Sequence, residues 1–173
     1  MSANLSPEDR WEAASEAAEL LAEGDYDGAI AFAQSVLEKD PRNEYAYFFL
    51  GCAYFEKDDA AKSMKAFVSA LDIAPEYFGA MVHLGHALRV LGRHDEALRV
   101  GRQVLAKLPD DPDGLHLMGA VHFARGDRTQ ATMFLERFIA TRPEIEVAME
   151  VEGMLQTLRG EVIPFPGTGS MEN

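Results

Sequence analysis

Apolar residues recur at helical spacing along most of the chain, and the pattern breaks at regular intervals. In LGHALRVLGRHDEAL (84–98), Leu84, Leu88, Leu91 and Leu98 mark one helical face, yet Gly85 and Gly92 interrupt it. Each glycine costs about 1 kcal/mol relative to alanine in a helix interior. Such a cost persists where a turn or a close packing contact requires it.

The interruptions are periodic. Prolines stand at 41, 75, 109 and 143, each 34 residues after the last. Seventeen residues before each stands Gly24, Asp58, Gly92 or Gly126, and twelve before it Ala29, Ser63, Ala97 or Ala131. Four before it stands Leu37, Leu71, Leu105 or Ile139. Gly51, Gly85 and Gly119 precede the last three prolines by 24 residues, each after Leu50, Leu84 or Met118. The spacing predicts first helices at 10–22, 44–56, 78–90 and 112–124. Second helices are predicted at 27–39, 60–73, 94–107 and 128–140.

This register resembles the tetratricopeptide repeat, whose 34-residue helix–turn–helix unit carries a W-x2-L-G-x2-Y…A-x3-F…P pattern. The second copy matches most fully, through Tyr47, Leu50, Gly51, Tyr54, Ser63, Phe67 and Pro75. The first copy departs, with Ala13, Glu16 and Ala17 where Trp, Leu and Gly would stand. The resemblance implies an all-α, right-handed solenoid of four helix pairs. The units run 10–43, 44–77, 78–111 and 112–143, after an extension at 1–9. A capping helix follows at 144–159, with Ile145, Ala148, Val151, Leu155 and Leu158 as its apolar stripe. Residues 160–173, rich in Gly and Pro, read as a flexible tail. In such a stack Gly85 would let the paired second helix approach closely, while Gly92 would supply a positive φ between helices.

Composition narrows the partners. The chain of 173 residues carries a net charge of −13, which argues against a nucleic-acid ligand. Residues 1–60 hold 14 acids against 4 bases, so a neutral or basic partner is expected. One cysteine, Cys52, excludes an internal disulfide framework. The N-terminal stretch has no apolar signal core and no run is long enough to cross a membrane, so a cytoplasmic location is the expectation.

No phosphate-binding loop, nucleophile elbow or dinucleotide fingerprint occurs, so neither an enzyme nor a cofactor is expected. Cys52, His86 and His116 have the side chains zinc uses. They fall on three successive helices, however, whose axes lie ~8–10 Å apart, too far for bonds of ~2.0–2.3 Å. No metal site is expected.

The resemblance places ligand contacts at the second, fifth, ninth and twelfth positions of each first helix. From those positions the groove candidates are Trp11, Tyr45, Phe48, Cys52, Phe55, Val82, His86, Arg89, His116 and Phe123. The fifth and ninth positions lack the Asn and Lys or Arg that clamp a chaperone's C-terminal carboxylate. The expected function is non-enzymatic binding of an extended peptide or partner helix in an apolar, aromatic groove, as an adaptor or chaperone. A self-associating scaffold is the competing reading, through the 161–173 tail or the repeat ends. The segment YFFLGCAYF (47–55) is also similar to bacterial type III secretion translocator chaperones, a third reading.

Overall fold

The computed structural model describes residues 5–161. The tail reading lies, from Val162 onward, outside the described residues. Those residues form nine helices and no strand: α1 (Pro7–Ala22), α2 (Tyr26–Lys39), α3 (Glu44–Glu56), α4 (Ala60–Ile73), α5 (Phe78–Val90), α6 (His94–Lys107), α7 (Pro112–Arg125), α8 (Arg128–Ala140) and α9 (Ile145–Arg159). The spans match the periodic reading to within a residue or so, except at α1. That helix starts three residues before Arg10 because Ser6 and Asp9 form a capping box. The Ser6 amide donates to Asp9 Oδ2 and the Asp9 amide to Ser6 Oγ, both at 3.1 Å.

Short acidic or amide side chains start most of the other helices. Asp25, Asn43, Asp59 and Asp111 each accept a hydrogen bond from the backbone amide three residues on. Asp127 of α8 and Glu144 of α9 stand at N-caps without such a bond, and the third helix pair lacks it at both of its helices. Tyr77 and Arg93 stand at its two N-caps and neither side chain caps the helix. The turn inside each pair is fixed by the glycine column. Gly24, Gly92 and Gly126 have φ of +73° to +78°, and Asp58 adopts +59° in the same place.

Packing follows sequence order. Each helix lies against the next, and α1 also meets α3, α3 meets α5, and α5 meets α7. Successive second helices make no comparable contact among the described residues. The layer of first helices is therefore the tighter one, and the array curves toward it. Burial is divided among three neighbouring clusters. The first joins Ala14, Ala33, Phe49 and Leu50, the second Phe67, Leu84, Leu98 and Leu117, and the third Leu115, Leu135, Phe138 and Val151. This is the near-neighbour arrangement of a solenoid. A polar lock ties the first two pairs. Asn43, fully buried, donates through Nδ2 to the Arg10 carbonyl at 2.9 Å while Arg10 pairs with Glu44 at 3.2 Å.

Two sequence expectations need correction. A Cβ on Gly51 would lie 2.6 Å from the Phe67 ring, and one on Gly119 would collide with Leu135, each on the paired second helix. Gly85 instead faces Leu117 of α7, the next repeat's first helix. The reason is one residue: sixteen positions after Gly51, Gly85 and Gly119 stand Phe67, Gly101 and Leu135. With no side chain at 101, Leu117 and Met118 fill the space between the helices, and a Cβ on Gly101 would lie 2.5 Å from Met118 Sδ. The second correction concerns α9. Val151 and Leu155 are buried in the third cluster with Leu115, Leu135 and Phe138, but Ile145 is 75% exposed, because the packing against α9 covers its middle turns and leaves its first turn open.

Candidate peptide-binding groove

The inner layer of first helices carries the candidate site in two parts. At the N-terminal end lies a row of rings. Trp11 of α1, 46% exposed, meets Tyr45 edge-on at 5.3 Å between centroids and Phe49 at 5.5 Å. Tyr45 continues to Tyr77 at 5.7 Å, and Tyr77 to Phe48 at 5.0 Å. Phe48 then meets His83 at 5.3 Å. Such edge and tilted contacts add about 0.5–1.5 kcal/mol per pair beyond burial, so the row is a rigid surface.

The second part is a cleft of about 250 Å³ between α3 and α5. Cys52, Phe55 and Glu56 form one wall, and His83, His86 and Arg89 the other. Beyond it His116 of α7 lies between His86 at 5.4 Å and Phe138 at 5.0 Å.

The structure thus gathers Cys52, Phe55, His86 and Arg89 into one cleft, with His116 at its edge. Trp11, Tyr45 and Phe48 share the aromatic row. Val82 is buried within the central cluster, and half-buried Phe123 does not line the cleft. Three contributors stand outside the counted positions, Tyr77, Glu56 and His83. Tyr77 precedes its helix. His83 is legible by its spacing, three residues before His86 on one helix.

Burial sets the protonation of the cleft. It pushes the Cys52 thiol up to about 12, with Glu56 adding to the effect. The thiolate is therefore scarce at neutral pH, which works against a nucleophilic role. Burial also lowers His86 to about 3, reinforced by the neighbouring His116, and it lowers His116 in turn. Both imidazoles are neutral near pH 7 and offer one donor and one acceptor each. Among the described residues no three metal-ligating side chains stand within reach of one ion. No helix there is long and apolar enough to cross a membrane.

The fold and its inner surface define a solenoid of stacked helix hairpins built for protein contacts. A family model described as tetratricopeptide repeat matches residues 20–78 and 54–121, together more than half of the chain. The chain belongs to the tetratricopeptide repeat family. It is 26% identical over 102 residues to human Superkiller complex protein 3, covering 59% of this chain and 6% of that protein. It is 30% identical over 159 residues to the mitochondrial ALBINO3-like protein 3 of Arabidopsis thaliana, covering 81% of this chain and 28% of that one. The chain thus spans well under a third of these relatives. Among solved structures it is similar to a tetratricopeptide repeat protein from Parabacteroides merdae, with a TM-score of 0.75 at 16% identity. That match covers 92% of this chain and 61% of the other. It is also similar to the second tetratricopeptide domain of human RPAP3, solved with an HSP70 peptide, with a TM-score of 0.61 at 20% identity. There the match covers 67% of this chain and 98% of the domain. These structural likenesses show the fold.

Proposed function

We propose that this chain is a non-enzymatic adaptor or chaperone module that takes an extended peptide or a partner helix along its inner layer. The observation that carries the reading is the cleft between α3 and α5, open beside a continuous row of aromatic rings. Apolar walls with a few convergent polar groups are the usual make-up of a ligand site. Rings of this kind act as binding anchors, because they bury large areas with little rotamer entropy to lose.

The test uses the single tryptophan. Trp11 sits at one end of the row, so a bound segment should change its emission. Partners captured from extracts of the source organism would be titrated against wild type and Phe55→Ala. Saturable emission changes that weaken in the variant support the groove; identical titrations reject it.

A second reading is end-to-end self-association, favoured by the exposed pair Ile145 and Met149 on α9, 75% and 66% exposed and one turn apart. Sedimentation over a range of concentrations separates the two. An oligomer that Met149→Glu disperses supports the scaffold, and a monomer throughout removes it.

A further inference from the structure

The cleft contains a charge that no other described residue pairs with. Arg89 lies on the α5 wall, and its Nε is buried without a hydrogen-bond partner among the described residues. No carboxylate in those residues comes within ion-pair distance of its guanidinium. Glu56, on the facing α3 wall, lines the same cleft without pairing to it. A buried donor left open is uncommon, because each such group costs on the order of 1–3 kcal/mol in lost hydration. Beside it, Phe55 and Cys52 form an apolar wall.

We propose that the cleft between α3 and α5 is a pocket for a carboxylate side chain next to an apolar residue in the partner's extended segment, with Arg89 receiving the carboxylate and Phe55 and Cys52 the apolar neighbour. This inference rests on the groove reading and deepens it by naming the partner's chemistry. A guanidinium presents a planar fork that matches a carboxylate in a way a lysine ammonium does not. The neighbouring His86 and His116 are neutral near pH 7, so they do not compete with Arg89 for the anion. The surroundings also limit the ligand. With a net charge of −13 on the chain and Glu56 on the opposite wall, a run of acids is repelled. One acid in an otherwise neutral or basic segment fits, because Glu56 can then accept from the segment's amides or a basic side chain. The pocket therefore differs from a clamp for several carboxylates, which needs several cations.

The test is a selection from a displayed library of random decapeptides against the whole chain. Wild type should enrich single Asp or Glu residues adjacent to apolar ones. Selected peptides should bind about 10- to 100-fold more weakly when the acid is changed to its amide. Arg89→Gln should abolish that preference while the circular dichroism spectrum is unchanged, and Arg89→Lys should restore part of it. Apolar peptides enriched without an acid, and sensitive to Phe55→Ala, would overturn the carboxylate pocket and leave the groove standing. Enrichment indifferent to both Arg89→Gln and Phe55→Ala would overturn both readings.

Discussion

Leu117 of α7 fills the space that a side chain at Gly85 of α5 would need, so two neighbouring repeats are joined where a single helix pair was expected to close. Substituting Gly85 with Leu should destabilise the chain by about 1–3 kcal/mol or more through overpacking, although helix propensity alone favours the change. Gly85→Ala should be less costly in a Leu117→Ala background than in wild type, because the clashing methyls are gone. Urea unfolding of the four variants measures that coupling, and strict additivity would show that the two residues do not share the space.

Asp58 carries the positive φ that glycine carries in the other three repeats. A side chain costs roughly 1–2 kcal/mol in that region, somewhat less for Asp than for most residues. Asp58→Gly should therefore stabilise the chain, by about 0.5–1 kcal/mol after the added unfolded-chain entropy is counted. Gly92→Ala should do the opposite. A lower melting temperature for Asp58→Gly would contradict the strain at this turn.

Ser63 occupies the small-residue column that is alanine elsewhere, and it is fully buried with an Oγ that has no partner among the described residues. Ser63→Ala removes an unsatisfied hydroxyl without leaving a large cavity. Thermal unfolding should shift upward, corresponding to a gain on the order of 1 kcal/mol.

Acidification should weaken the fold through the cleft histidines. His86 is held down to about 3 in the folded chain, chiefly by burial, and faces His116, Arg89 and His83. Unfolded, it takes up a proton near pH 6.5. Between those values the unfolded state binds more protons, so stability rises with pH across that window. The contribution is complete above about pH 6.5 and is lost as the pH falls toward the folded value. From pH 6.5 to 5.5 this one residue should account for a loss of about 1 kcal/mol. Urea midpoints for wild type and His86→Gln should converge or cross as the pH falls, and parallel curves would refute the assignment.

Phe48 and Phe55 should separate stability from binding. Phe48 packs against Phe49, Phe67, Tyr77 and His83, so Phe48→Ala should cost about 2–4 kcal/mol of stability. Phe55 lines the cleft and belongs to none of the three core clusters. Phe55→Ala should leave the fold intact and weaken partner binding by over ~1–2 kcal/mol. Circular dichroism and calorimetry on both variants decide the division.

What the sequence by itself determined is the architecture. A 34-residue period in Gly, small and Pro positions places eight helices, because turn conformation, helix caps and close crossings depend on residues near in sequence. Which side chain faces which was a tertiary matter. The partner of Gly85 depends on Gly101, sixteen residues away, and on Leu117 from the next repeat. The exposure of Ile145 depends on how far the neighbouring helices reach along α9, which buries Val151 and Leu155 but not its first turn. In the candidate groove, counting along first helices reached Cys52, Phe55, His86 and Arg89. It also returned Val82, which lies in the core, and missed Tyr77 and the facing Glu56. Helical periodicity assigns a residue to a face of its own helix. The curvature of the stack and the size of neighbouring side chains then determine whether that face is wall, floor or core.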